Sequence, residues 1–381
     1  MAEDRPVARP PVVLAPEGDE GIARGVGLVA AGTVLVGLVA GGSGFLNGDA
    51  AAYAAQGWAA DLSQRWVHLG YVSVAAVLGG VGDGLPRALD ALSAVAGGGL
   101  VLAAARGSDH PLRAAWLAAA CVLPWVAFAE VDLPCLALVA GAAVTAGEAG
   151  ASLLLAAAVA VSPVSLLAMP WVLVERRSPT VVVGALGAVM LLSVASGGDW
   201  WWGDRGVLSA PRLPGRTAQA WLLSGTWLLG LWSRDRRLLA LLPLLLAPPD
   251  VPAWVLLGVA AGRRVPDAPW GRGAVILAVL AGLWGLGERR AHVARAHQQL
   301  SRLAAVLPDD VVVEAPWSWG ARWSVLASGE VYGRRWVAVP HPVRDQRRCP
   351  ATATVALPPG REPLGGTVRV DDEGVHWGPG C

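Results

Sequence analysis

The sequence contains no lysine; all 30 of its basic residues are arginine. It also holds only two phenylalanines, three tyrosines, three methionines and four cysteines in 381 residues. Charge is scarce as well. Asp, Glu and Arg make up 15% of the chain, against about 25% in ordinary soluble domains. A soluble protein of this length needs more charge to cover its surface, so the composition points to a polytopic membrane protein. The net charge is +1 and the arginines are scattered, which leaves no basic patch for nucleic acid. Together with the abundant Ala, Gly and Val, the missing lysine reads as coding bias. No CxxC or Cys/His metal spacing occurs. No small-residue cleavage site follows the first apolar run, which is expected to stay as an uncleaved anchor. No internal repeat of 20–50 residues is visible.

What the chain does have is long apolar runs. Residues 1–24 are polar and Pro-rich, expected as a disordered cytoplasmic leader. The first span covers Val26–Leu46. A polar loop follows, NGDAAAYAAQGWAADLSQRWVHLGY, with an apolar piece at Val67–Val81. Further runs are Ala88–Ala105, Ala114–Ala129, Leu133–Gly147, Ala151–Ala168, Leu166–Val174 and Val181–Ala195. Beyond them come Ala218–Trp232, Leu238–Leu246, Trp254–Ala261 and Ala274–Leu286. Several are shorter than the roughly 20 residues of a straight crossing, so about 9–12 membrane segments are expected. The overlap at Leu166 leaves one boundary open.

Arginine placement orients these spans. Take Val67–Val81 as part of the first external loop, partly embedded and not crossing. Arg106/Arg113, Arg176/Arg177, Arg234/Arg236/Arg237 and Arg263/Arg264/Arg272 then share the side of the N-terminus, while Arg65, Arg87, Arg205, Arg212 and Arg216 lie opposite. Counting that piece as a crossing spoils the pattern. The expected placement is the cytoplasmic (inner) membrane, N-terminus inside and the tail after Glu288 outside.

The tail, 288–381, is expected to form a small α+β extramembrane domain. ERRAHVARAHQQLSRLAAVL reads as an amphipathic helix leaving the membrane. VVVEAP, WVAVP, TATVALPP and GTVRVDDEGVHW read as strands, the last a hairpin turning at Asp372–Gly374, and WSWGARWSVLAS as a helix. Cys121 and Cys135 fall in apolar runs as inert core residues. Cys349 and Cys381 lie in the tail, where pairing is expected if it faces an oxidising compartment.

Four constellations offer chemistry. Asp49 stands just past the first span, as a proton acceptor or as a loop aspartate meeting water. Tyr53 shares its loop. Glu130 and Asp132 form an E-V-D pair between apolar runs, oxygen ligands for a divalent cation or a solvated turn. Arg65, His68 and Tyr71 are spaced i, i+3, i+6 and share a helical face, suited to a phosphate or sugar hydroxyl, or to interfacial anchoring with Trp66. The run Asp199-Trp-Trp-Trp-Gly-Asp204-Arg205 reads as an interfacial belt or as a stacking surface for a sugar, with Asp204 and Arg205 on a headgroup.

NGDAAAY…RWVHLGY, AEVDLPCLAL and AVSPVSLLAMP resemble the GT-C membrane glycosyltransferases, nearest to bacterial proteins grouped with protein O-mannosyltransferases and aminoarabinose transferases. The resemblance covers roughly residues 25–205. It implies an all-α polytopic fold, a first-loop catalytic carboxylate matched by Asp49, and a second-loop acidic group matched by Glu130 and Asp132. A His/Pro/Tyr motif is met only in part, by His68 and Tyr71, because the proline is missing. Where the mannosyltransferases carry Asp-Glu, this chain has Gly48-Asp49. The SPVS of Ser162–Ser165 resembles the family's short external turn. The implied donor is a polyprenyl-phosphate-linked sugar, set in membrane lipid, and the implied acceptor an extracytoplasmic lipid, glycan or protein. Asp49 would be the general base, with Arg65 or Arg205 at the departing phosphate. The superfamily has both metal-dependent and metal-independent members, so a Mg²⁺ or Mn²⁺ ion at Glu130/Asp132 stays open.

Two other classes compete. A transporter or flippase would carry ionisable groups deep inside its spans and inverted repeats, whereas here the acidic groups noted above cluster at loop ends. A non-catalytic membrane scaffold would tolerate loss of Asp49.

Overall fold

The computed structural model describes residues 19–41, 69–78, 85–106, 108–127, 132–195, 239–241 and 269–306, together with five strands between 312 and 378. Nine α-helices stand among these residues: α1 Asp19–Ala40, α2 Leu69–Leu78, α3 Leu85–Ala105, α4 Pro111–Val122, α5 Asp132–Val144, α6 Glu148–Val161, α7 Met169–Arg176, α8 Pro179–Ala195 and α9 Pro269–Val306. α1 begins inside the stretch expected as leader, where Arg24 pairs with Glu20 one turn earlier at 2.9 Å. The ambiguous boundary near Leu166 is a 3-10 turn, Pro163–Ala168, between α6 and α7. Pro163 and Pro170 flank it and prevent a continuous α-helix. Glu20–Ala40 and Arg87–Ala105 are long and apolar enough to cross a membrane. The runs read at 218–232 and 254–261, the helix read at WSWGARWSVLAS, and Cys349 and Cys381 lie outside the described residues.

α1 packs along α3, and small residues let them meet closely. A Cβ on Gly37 would stand 2.6 Å from Ala94 Cβ and 2.6 Å from the Val126 carbonyl oxygen. One on Gly41 would stand 3.4 Å from Asp90 Cβ. Position 41 thus meets 90 and position 37 meets 94, so the helices run antiparallel. The end of α1 and the start of α3 therefore lie at the same end of the bundle. The other end is marked by Gly25 against Leu112, at the start of α4. Apolar helices gain little from burial when lipid is the alternative, so close packing of small residues takes over. The interior agrees: Ala103, Ala104, Ala115, Ala118, Ala140 and Ala158 are all buried.

At the end where α1 begins, polar groups tie α5, α6, α7 and α8 together. The Arg176 guanidinium donates to the carbonyls of Ala142 (3.3 Å), Thr145 and Ala146 (3.4 Å), capping α5 where its last carbonyls lack helical donors. Ser178 Oγ and Thr180 Oγ1 donate to the two oxygens of Glu148, each at 2.7 Å. Each hydroxyl has one hydrogen, so the 2.6 Å contact between Ser178 and Thr180 carries none while both serve the carboxylate. The Ser178 and Thr180 hydroxyls, with a smaller contribution from the Arg176 charge, hold the Glu148 carboxyl below its ordinary range.

α9 is a single helix of 38 residues, about 57 Å long at 1.5 Å per residue. A Cβ on Gly282 would overlap the Ala120 carbonyl, and Leu286 packs with Ala127, Val36 and Ala40 at the end where α1 finishes. Beyond that level α9 continues for about five turns and meets β4 and β5. The strands β1 Val312–Ala315, β2 Val337–Pro340, β3 Thr352–Ala356, β4 Gly366–Asp371 and β5 Gly374–Gly378 form one sheet in the order β2-β1-β3-β4-β5. β1 and β2 are parallel and the other pairs antiparallel. Asp371 pairs with Gly374, which sets the β4–β5 hairpin where the Asp372–Gly374 turn was expected.

Two predictions follow from this packing. Gly37→Val should lower the thermal stability of the detergent-solubilised protein by about 1–3 kcal/mol through overpacking. Gly32→Val, on the same helix with nothing within 4 Å of its Cβ, should not. Equal losses would assign the effect to helix propensity. The second concerns pH. Because the folded-state pKa of Glu148 is lowered, its contribution is present above the ordinary glutamate range and fades as pH falls through the folded value. Glu148→Gln should therefore be less stable than wild type at neutral pH, and the gap should close on acidification; a pH-independent gap would overturn this.

Candidate functional site

The end of the bundle where α1 finishes collects the polar groups that the other end does not use. Gly41 is its junction. A Cβ there would lie 2.8 Å from the Gly37 carbonyl oxygen, 3.1 Å from that of Ala127 and 3.4 Å from Asp90 Cβ, so any larger residue would push three segments apart. Asp49 lies eight residues beyond Gly41, and Glu130 and Asp132 lie three and five residues beyond Ala127. The fold thus starts both acidic segments from one point.

Asp132 opens α5, where a carboxylate suits the positive end of the helix dipole. Ser162 Oγ donates to Asp132 Oδ1 at 3.1 Å. Ser162 ends α6 in an extended conformation and is fully buried, and its carbonyl accepts from Ser165 Oγ at 2.8 Å. Cys135 Sγ stands 3.7 Å from the same carbonyl. The two sequence fragments VDLPC and SPVS, 30 residues apart, therefore form one buried polar cluster. Cys135 is buried and unoxidised, as expected of a core residue; Cys121 is half-buried and likewise free.

Across the same end, the Arg289 guanidinium lies over the Trp125 ring, 4.0 Å from its centroid, a cation–π contact joining α9 to the segment after α4. Asp90 and Ser93 are also buried here, 4% and 0% exposed, in the first half of α3. The sequence reading passed over Asp90, Ser93 and Arg289. The signal for Asp90 was a carboxylate inside an apolar helix, ALDALSAVAGGG, a costly placement that marks function more often than chance.

Of the candidate substrate, catalytic and metal residues named from sequence, Asp132 is the one whose side-chain surroundings the structure describes. Tyr71 lies on α2, which packs on α6, where a Cβ on Gly70 would stand 3.0 Å from the Ala160 carbonyl carbon. Asp49, Tyr53, Arg65, His68, Glu130, Asp204 and Arg205 lie outside the described residues. Among the described residues no group of three His, Cys, Asp or Glu side chains comes together. The described part of the E-V-D pair supplies one carboxylate, Asp132.

The fold is matched by a solved structure, that of ArnT from Cupriavidus metallidurans bound to undecaprenyl phosphate. The TM-score is 0.50 at 14% identity, over 85% of this chain and 87% of that one. The chain thus has a GT-C-like fold. No protein-family profile matches the sequence, and no curated protein does.

The Asp132–Ser162 bond generates a prediction. Ser162→Ala leaves a half-buried carboxylate without that donor and should cost about 1–3 kcal/mol of stability, whereas Ser162→Thr should retain most of it. Thermal unfolding of the two variants in detergent compares them; equal loss would show that the hydroxyl contributes nothing.

Proposed function

We propose that this chain is a membrane glycosyltransferase that moves a sugar from a polyprenyl-phosphate donor to an extracytoplasmic acceptor. The observation that carries this reading is the junction at Gly41, where the segments leading to Asp49 and to Glu130/Asp132 begin together within a GT-C-like fold. The likeness to a structure with bound undecaprenyl phosphate supports a polyprenyl-phosphate partner. The Arg-rich end at Arg106, Arg113, Arg176 and Arg177 supports the inner membrane with that end inside. The strands following α9 then form a small α+β domain on the outer side.

In this mechanism Asp49 takes the proton of the acceptor hydroxyl. The freed oxygen attacks the anomeric carbon, the bond from that carbon to the lipid phosphate oxygen breaks, and the phosphate leaves with the electron pair. Configuration inverts. Arg65 or Arg205 stabilises the charge that gathers on the phosphate. Tyr53, His68, Tyr71 and Asp204 frame the sugar and headgroup. Glu130 and Asp132 would hold a Mg²⁺ or Mn²⁺ ion if one is used, and no step above depends on it.

The test is transfer of labelled sugar from a polyprenyl-phosphate donor in membranes carrying each variant. Asp49→Asn keeps size and hydrogen bonding but cannot take a proton at neutral pH, so transfer should fall by about 10²–10⁴-fold at normal abundance. Asp61→Asn, in the same loop, should be far milder. Wild-type activity in Asp49→Asn would make Asp49 an ordinary loop aspartate and sink the mechanism.

A further inference from the structure

Asp132 is half-buried at the first position of α5. The helix start already favours a negative charge there, and a half-exposed carboxylate reaches water as well. The fold nevertheless spends a fully buried hydroxyl on it: Ser162 Oγ donates to Asp132 Oδ1 at 3.1 Å. Burying a hydroxyl costs free energy that an alanine would avoid. Ser162 is in turn held at each of its other polar atoms. Its N–H donates to the Ala158 carbonyl at 2.9 Å, and its carbonyl accepts from the Ser165 N–H at 3.1 Å and from Ser165 Oγ at 2.8 Å. Cys135 Sγ, 3.7 Å from the same carbonyl, joins it back to α5 one turn after Asp132. Pro163 closes the frame, its ring fixing φ at the start of the 3-10 turn. A serine hydroxyl carries one hydrogen, so in this frame its single donation is committed to Asp132. Buried groups that lock one another and end on a single half-exposed carboxylate are the arrangement that holds a working side chain in one orientation.

We propose that Ser162 is a positioning residue for Asp132, fixing the orientation of the carboxylate that the transfer site uses. The hold on the carboxylate stands on geometry alone; its consequence for transfer rests on the glycosyltransferase reading above. The hydroxyl at position 162 matters, and its bulk does not. Ser162 has φ −152° and ψ 125°, extended backbone that a β-branched residue adopts readily, so Ser162→Thr keeps the donor that Ser162→Ala removes.

The experiment uses the full chain in detergent. A water-soluble carbodiimide with glycine ethyl ester labels accessible carboxyl groups, and peptide mass spectrometry reads the rate at Asp132, with the exposed Glu148 as internal control. Ser162→Ala should speed labelling of Asp132 several-fold, Ser162→Thr should restore the wild-type rate, and Glu148 should not change. In the transfer assay, at equal abundance, Ser162→Ala should lower kcat on the order of 10–100-fold, and Ser162→Thr should recover most of that loss. In an Asp132→Ala background the same change should cost no more than about twofold, because a residue that acts through Asp132 has nothing left to position. Unchanged labelling in Ser162→Ala, equal defects in Ser162→Ala and Ser162→Thr, wild-type transfer in Asp132→Ala, or losses that multiply in the double variant would overturn the proposal. If Ser162→Ala does not accumulate, Ser165→Ala, which removes one donor from the Ser162 carbonyl and leaves the Ser162 hydroxyl in place, should speed labelling by a smaller factor. Wild-type labelling in that variant would equally overturn it. A wild-type chain with no transfer but the expected labelling pattern would sink the glycosyltransferase reading and leave the hold on Asp132 intact.

Discussion

The close approach of α1 to α3 is the constraint on which the rest of the described structure depends. Two helices whose side chains are as apolar as lipid have no reason to associate through burial alone. Here they associate because Gly37, Gly41 and Gly98 leave room for Ala94, Asp90 and Val34. The Val126 and Ala127 carbonyls press into the same space from the segment after α4, so three chain segments share one seam. A side chain at Gly37 or Gly41 would separate all three.

From this seam the two ends of the bundle diverge. At the end where α1 begins, arginine and hydroxyl groups are spent on structure: Arg176 caps α5 and Ser178 and Thr180 bind Glu148. At the other end, Asp132 and Ser162 sit at helix termini and bond to each other. Polar groups spent on capping rigidify a scaffold.

Much of this was legible in the chain. Low charge and long apolar runs required a helical bundle, and the run boundaries for α3, α5 and α8 fall within a few residues of the helices. The β4–β5 hairpin followed from a turn-forming DDEG between alternating strands. Asp132 was visible as an acid at an apolar boundary, and SPVS as a turn. Their hydrogen bond was not, because 30 residues separate them and the two-helix excursion that closes that gap has no local signature. The start of α1 was missed because prolines and acids before Asp19 look like a disordered leader, while the helix is set by an i, i+4 Glu20–Arg24 pair and by packing further on.

The sequence by itself determined that the chain is built from apolar helices and which acidic residues stand at their boundaries. Those depend on composition and on periodicity over a few turns, where the physics is local. Only the tertiary structure decided that position 41 meets position 90, that Asp132 meets Ser162, and that Arg289 covers Trp125. Apolar helices of Ala, Val, Leu and Gly resemble one another along their length. Which faces pair is settled by steric fit between whole helices, and no single residue announces it.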